Sequence, residues 1–240
     1  MKRTLLRRAA LTLCLSAGVA RAEVLYVWKD NPSAPVPPYT GGWDSAATNI
    51  QDAVDAASAG DTILVTNGVY NSGGRGAPGE TTLKTRVVVD KAIILQSVNG
   101  PEVTLISGAH NGTGNGLGNS ALRAIYLTNS AVLSGFTVTN GYTRSGTTAA
   151  SEYYGGGVLS ADSSAWITNC LILGNAAAMR GGGVYQGTLG SCLVGSNAVL
   201  AASASAAGGG AYNVTAFATR FELNKAAYSS ADGGGTYSSV

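Results

Sequence analysis

Residues 155–185 have the sequence GGGVLSADSSAWITNCLILGNAAAMRGGGVY, which opens and closes with the same motif, a glycine triplet followed by two apolar residues. The triplet occurs four times, at spacings of 26, 27 and 25 residues. Its copies are Gly155–Gly157, Gly181–Gly183, Gly208–Gly210 and Gly233–Gly235. An internal repeat of this length is typical of solenoid proteins, in which each repeat forms one coil.

A second motif, a short apolar run that ends at asparagine, lies between the triplets. Its copies are Cys170–Asn175, Cys192–Asn197 and Thr219–Asn224, and Gly135–Asn140 looks like an earlier one. Apolar runs of this size, separated by Gly, Asn and Ser, predict short strands and leave too little uninterrupted length for helices. The sequence therefore predicts an all-β fold, a parallel β-helix whose coils stack about 4.8 Å apart.

Equivalent positions in successive coils predict which side chains stack. Tyr185, Tyr212 and Tyr237 are expected to form an aromatic stack. Because the residue beside each tyrosine is small or tolerates polar surroundings, we expect an internal stack; an outward-facing stack would instead offer a platform for sugars.

Two further sets of equivalent residues support the stacking. Asn175, Asn197 and Asn224 are expected to form an asparagine ladder at a corner, where asparagine tolerates left-handed geometry. Cys170 and Cys192 are interpreted as small core residues; a disulfide between them stays open. The glycine triplets are interpreted chiefly as sites where coils pack closely, rather than as a flat surface for a ligand.

The first 22 residues predict a secretory signal peptide. Four basic residues precede the apolar run Ala9–Ala20, and Ala20-Arg21-Ala22 fits an A-x-A cleavage site. We therefore expect cleavage after Ala22 and a protein that is secreted or held at a bacterial cell surface or outer membrane. No later apolar stretch reaches the length of a transmembrane helix.

Composition and charge exclude several classes of function. The mature chain keeps ten basic and 13 acidic residues, a net charge of −3. With no basic surface to neutralise phosphates, the sequence argues against a nucleic-acid partner. A single histidine argues against a histidine-based metal site or a Ser-His-Asp triad.

The segments before the triplets are less regular. Residues 23–43 are interpreted as a strand followed by a Pro-rich extended segment, and residues 44–240 as the β-helix, with regular repeats over 155–240. Residues 44–58 predict a capping helix, with Asp44 as its N-cap and Ile50, Ala53, Val54 and Ala57 on its buried face. Strands are expected at Thr62–Thr66, Arg86–Gln96, Val103–Ile106, Ile125–Thr128 and Ala131–Thr139. The mature length of 218 residues, at about 25 residues per coil and without the cap, predicts roughly seven coils.

These residues resemble a known family. Residues 44–108, with Gly60-Asp61-Thr62-Ile63 and Asn67-Gly68-Val69-Tyr70, look like the start of a right-handed parallel β-helix of the pectin-lyase-like superfamily. Residues 131–240 resemble the repeats of polymorphic outer-membrane and large bacterial secreted proteins, and Phe221-Glu222-Leu223-Asn224 matches their F-x-x-N motif. The resemblance is specific for the fold and says little about function, because this fold hosts lyases, glycosidases, adhesins and passengers alike.

An active site would need clustered carboxylates, and the repeats offer only single ones: Glu152, Asp162, Glu222 and Asp232. Arg180 and Arg220 have no carboxylate neighbour in sequence, His110 is interpreted as a solvated loop residue, and Asp61 as a turn residue. We therefore assign no catalytic, cofactor-binding or metal-binding residue.

The sequence favours an exported, non-catalytic β-helix that serves as a surface stalk, adhesin or passenger, with a polysaccharide or a cell-surface ligand as its partner. A polysaccharide lyase or hydrolase and a carbohydrate-binding β-helix are the alternatives. Val240 falls in the middle of a repeat, so we expect the solenoid to continue in a longer protein.

Overall fold

The computed structural model describes residues 21–146, 149–200, 205–227 and 234–237. Their regular structure is 21 short strands, the helix α1 (Ile50–Ala56) and two 3₁₀ turns, Trp43–Ser45 and Ala150–Tyr153. In chain order the strands are β1 (Val24–Val27), β2 (Thr62–Val65), β3 (Gly68–Tyr70), β4 (Arg75–Gly76), β5 (Lys84–Val89), β6 (Ile94–Ser97), β7 (Thr104–Ser107), β8 (Leu122–Leu127), β9 (Val132–Ser134), β10 (Thr137–Thr139), β11 (Val158–Ser160), β12 (Trp166–Thr168), β13 (Leu171–Leu173), β14 (Ala176–Ala177), β15 (Val184–Gly190), β16 (Leu193–Gly195), β17 (Ala198–Val199), β18 (Ala211–Phe217), β19 (Arg220–Glu222), β20 (Lys225–Ala226) and β21 (Thr236–Tyr237).

The strands stack in parallel columns, as the repeat predicts. One column contains β1, β2, β6, β9 and β12 and then the second halves of β15 and β18, so that seven strands lie in register. A second column contains β5, β8, β11, the first halves of β15 and β18, and β21. A third runs from β3 through β7, β10, β13 and β16 to β19, and β14, β17 and β20 form a short fourth. The chain is a parallel β-helix.

The interior of the coils is one apolar core. Each strand sends alternate side chains inward, so that Leu95, Leu133, Ile167 and Leu189 are all fully buried in one row. Cys170 and Cys192 belong to this core, as the sequence predicts, and both are free thiols, a point that the sequence leaves open.

The helix is shorter than predicted. It begins at Ile50, and Asn49 caps it by accepting a hydrogen bond from the Gln51 backbone N–H at 2.8 Å, so the assignment of Asp44 as N-cap is wrong. The backbone of Ala47 instead bonds to β1, which keeps residues before Asn49 out of the helix. The predicted buried face is confirmed, because Ile50, Ala53, Val54 and Ala57 all lie in the core.

Two predicted strands are each divided by a turn. Residues 86–96 contain β5 and β6 with a turn between them, and residues 131–139 contain β9 and β10. Gly135 makes the second turn with a φ of 79°, a left-handed conformation that glycine adopts at little cost. Among the described residues, no helix is both long enough and apolar enough to cross a membrane.

Candidate functional site

A row of aromatic and apolar side chains runs across the outside of the second column. Because side chains alternate along a strand, Val184 points into the core and Tyr185 points away from it. The register aligns one residue from each coil: Val88, Tyr126, Leu159, Tyr185 and Tyr212. The expectation of an internal tyrosine stack is therefore wrong, since Val158, Val184 and Ala211 occupy the inward positions.

The tyrosine rings stack on one another. The ring centroids of Tyr185 and Tyr212 are 5.5 Å apart at an angle of 5°, and those of Tyr154 and Tyr185 are 4.7 Å apart at 16°. Tyr237 continues the register at the backbone, but its side chain lies outside what the structure describes. The Arg180 guanidinium carbon lies 4.9 Å from the Tyr212 ring centroid and 5.3 Å from that of Tyr154, a cation–π distance in both cases.

A cleft of about 320 Å³ opens beside this stack, and we call it the tyrosine cleft. Its walls come from two loops and from the outer faces of β8, β11 and β15. The lining residues are Pro78, Tyr126, Ser151, Tyr154, Leu159, Ser160, Ala161, Tyr185 and Gln186. Apolar rings with a few polar groups among them are the usual composition of a ligand site.

Buried ionic contacts hold the loops that form the cleft. The Arg123 side chain is fully buried, forms an ion pair with Glu80, and donates to the backbone oxygens of Ser151, Tyr154 and Gly155 at 2.8–2.9 Å. Burial lowers the pKa of Arg123, and the Glu80 carboxylate opposes that shift. The guanidinium therefore joins the loop before β5 to the loop before β11.

Glu152 makes a second connection between the same two loops. Its Oε1 accepts hydrogen bonds from the backbone N–H groups of Thr81, Thr82 and Leu83 at 2.6–3.1 Å. Glu152 is fully buried, and its carboxylate accepts several donors, so it holds the loop in place. Pro78 and Ser151 consequently stand at fixed positions on the rim of the cleft.

One polar side chain on the wall of the cleft, Gln186, adds hydrogen-bonding capacity to that of the tyrosine hydroxyls. Ser160 is 1% exposed and follows the outward-facing Leu159, so its hydroxyl faces the core and not the cleft. Gln186 is half-buried with a φ of 60°, a conformation that bulky residues rarely adopt and that clusters at functional sites.

Burial raises the pKa of two tyrosines that line the cleft, so their hydroxyls stay protonated at neutral pH. Burial raises the pKa of Tyr185, and the neighbouring Tyr154 raises it further, while Arg180 opposes both effects. Burial likewise raises the pKa of Tyr126. Both phenols can therefore donate as well as accept hydrogen bonds.

The remaining sequence candidates lie apart from the cleft. His110 is an exposed loop residue, as predicted, whose Nδ1 accepts a hydrogen bond from the Gly112 N–H. Asp162 closes a local turn with Ser164. Arg220 forms an exposed ion pair with Glu222, which corrects the view that it lacks a carboxylate neighbour. Asp232 and residues 1–20 of the predicted signal peptide lie outside the described residues.

Sequence reasoning missed Arg123, Glu80 and Tyr154. Arg123 and Glu80 are 43 residues apart, and neither belongs to a repeat. Tyr154 had a usable signal, because it directly precedes a triplet at the position that Arg180 occupies before the next, and their backbones pair. Within the described ranges, no three His, Cys, Asp or Glu side chains are grouped as metal ligands.

Comparisons with known proteins concern the fold. No family model matches the chain, and no curated protein matches it. The solved structure of the pectate lyase Pel9A is similar, with a TM-score of 0.55 and 15% identity over 88% of this chain and 50% of that one. A pectin methylesterase mutant in complex with a hexasaccharide gives a TM-score of 0.43 and 14% identity over 82% of this chain and 56% of that one.

The chain thus spans about half the length of these two structures. The similarity to the pectate lyase covers 88% of this chain, at an identity that carries information about the fold and not about the activity. The fold of this chain is a parallel β-helix, and the fold is what it shares with that pectate lyase.

Proposed function

We propose that the protein is an exported, non-catalytic β-helix that binds a carbohydrate chain at the tyrosine cleft. The observation that carries the proposal is the cleft itself, an outward-facing row of stacked tyrosines with the Gln186 side chain on the same wall. Sugars combine apolar C–H faces with many hydroxyl groups. Aromatic side chains with phenolic hydroxyls and an amide match both properties.

The cleft favours binding over cleavage because its carboxylates are enclosed. The side chains of Glu80 and Glu152 are fully buried and serve as acceptors for the loops, so neither faces a ligand in the cleft. Glycoside hydrolysis requires two carboxyl groups that flank the scissile bond. A scaffold that carries an adhesive surface fits this arrangement, and the alternative of a polysaccharide lyase or hydrolase would need other carboxylates.

The test is affinity electrophoresis of the full chain in gels that contain single polysaccharides, both neutral and acidic. We expect at least one polymer to retard the protein. Tyr185→Ala should weaken that retardation about tenfold, since an aromatic contact of this kind contributes about 1.5 kcal/mol. Trp166→Ala is the matched control, because Trp166 is 47% exposed on the outer face of the other column.

Two results would contradict the proposal. Equal retardation of the Tyr185 and Trp166 variants would show that the cleft is not part of the binding surface. Release of reducing ends or unsaturated products from the same polymers would show catalysis and favour the enzyme alternative.

A further inference from the structure

Asp61 is a buried carboxylate that binds the start of the first strand. It is 5% exposed, and its Oδ1 accepts a hydrogen bond from the backbone nitrogen of Glu23 at 2.8 Å. Its Oδ2 accepts from the backbone nitrogen of Ser58 at 2.7 Å, which confirms the predicted turn role. One carboxylate therefore connects the turn after α1 to residue 23.

The charge of Asp61 has no partner of opposite sign. Among the described residues, no Lys, Arg or His nitrogen lies within 4.0 Å of its carboxylate. A buried charge without a counterion is unfavourable, and hydrogen bonds from two neutral amides compensate only part of the cost. A cation beside Oδ1 would offset the remaining cost of burying this charge.

Glu23 stands at the boundary where the fold begins. Strand β1 starts at Val24, and the Glu23 carbonyl oxygen accepts a hydrogen bond from the Thr62 N–H at 2.9 Å. Arg21 and Ala22 are exposed and lie in no helix or strand. The bond between Ala22 and Glu23, at which the sequence predicts cleavage, thus lies one residue before the strand.

We propose that cleavage of the Ala22–Glu23 bond creates an α-ammonium group that forms an ion pair with Asp61. The peptidase adds water across the amide: the hydroxyl goes to the Ala22 carbonyl carbon, and a hydrogen goes to the Glu23 nitrogen, which takes another proton from solvent. The nitrogen already lies 2.8 Å from Oδ1, so the new charge forms at ion-pair distance. Processing then makes the mature protein more stable than its precursor.

The test uses the exported full chain, whose mature N-terminus is read by mass spectrometry and is expected to be Glu23. A variant with one alanine inserted between Ala22 and Glu23 moves the ammonium outward by one residue and leaves an amide at Glu23. We expect the insertion to lower the Tm by about 2–4 °C, the size of one charge-assisted contact in a protein of this length. Asp61→Asn should lower the Tm clearly in the normal chain and only slightly in the insertion variant.

A second measurement covers the case in which Asp61→Asn does not fold. The α-amino group of the exported protein is acetylated at neutral pH with an amine-reactive ester, and the ion pair should slow that reaction about fivefold relative to the insertion variant. A mature chain that does not start at Glu23, equal acetylation rates, or an equal effect of Asp61→Asn in both backgrounds would overturn the proposal.

Discussion

The asparagine ladder shows how one side chain satisfies the groups at a corner of the coil. The Asn197 Oδ1 accepts from both the backbone nitrogen and the Nδ2 of Asn175 at 3.0 Å, and its own Nδ2 donates to the Ile172 carbonyl at 2.8 Å. Asn224 repeats this role toward Asn197. The left-handed residue at each corner is the one before the asparagine, such as Ser196 with a φ of 54°, and not the asparagine itself as predicted.

Replacing Asn197 by alanine should destabilise the protein by about 2–4 kcal/mol. The change leaves buried donors on Asn175 and the Ile172 carbonyl without their partner, and each unsatisfied group costs about 1–3 kcal/mol. Urea unfolding of the two chains measures the difference. Asn169→Gly is the control, because Asn169 is exposed with a φ of 50° that glycine adopts freely. A decrease in the free energy of unfolding of less than about 0.5 kcal/mol, which is the usual effect of a surface substitution, would contradict the role of the ladder.

At the scale of elements, the loops around the cleft depend on buried charges. The segment between β4 and β5 contacts the segment before β11 through the Glu80–Arg123 pair and through the hydrogen bonds of Glu152. Replacing such a carboxylate removes acceptors from groups that water cannot reach. The local structure of the cleft should therefore be more sensitive to these residues than the coils are.

Glu152→Gln should release the loop of Thr81–Leu83 while the coils stay folded. The neutral amide oxygen accepts more weakly than a carboxylate from the three backbone N–H groups on Oε1, and the amide nitrogen cannot accept from the Thr82 hydroxyl that Oε2 binds. We expect the amide hydrogens of these residues to exchange at least tenfold faster, which corresponds to a loss of about 1.4 kcal/mol of local protection. Glu102→Gln, at an exposed turn position, is the control. Unchanged exchange would mean that other contacts hold the loop.

The repeated elements could be predicted from the sequence, and the loops that complete the cleft could not. Equivalent residues at a constant period, such as Asn175 and Asn197, reveal their contacts because stacking places copies beside one another. Glu80 and Arg123 occur once each, so no spacing in the sequence relates them. The sequence predicts the wrong face of the strand for the Tyr185 side chain, because the neighbouring residues are compatible with either face. The structure decides between the two faces, since Val184 points into the core and the next side chain must point outward.

At the scale of the whole molecule, the glycine triplets set how closely the coils approach. A Cβ atom on Gly182 would lie 2.3 Å from the Ala198 carbonyl oxygen and 2.4 Å from that of Gly209, so even a methyl group cannot fit. These oxygens belong to the following coil and to the next triplet, and the prediction of close packing is confirmed. In a solenoid each coil contacts only its neighbours, and stability is nearly a sum over those interfaces.

Gly182→Ala should therefore weaken the stacking of its coil on the following one. We expect a loss of more than about 3 kcal/mol, because the clash is with backbone atoms that move only if a whole coil moves. Urea unfolding should also show a smaller m-value, since local loss of stacking breaks the all-or-none transition. Gly76→Ala is the matched control, because a Cβ there would contact only the Glu80 carbonyl oxygen at an ordinary 3.8 Å. If both variants unfold at the same urea concentration, the coils can accommodate a methyl group at the triplet. Close packing would then not be the reason for the glycines.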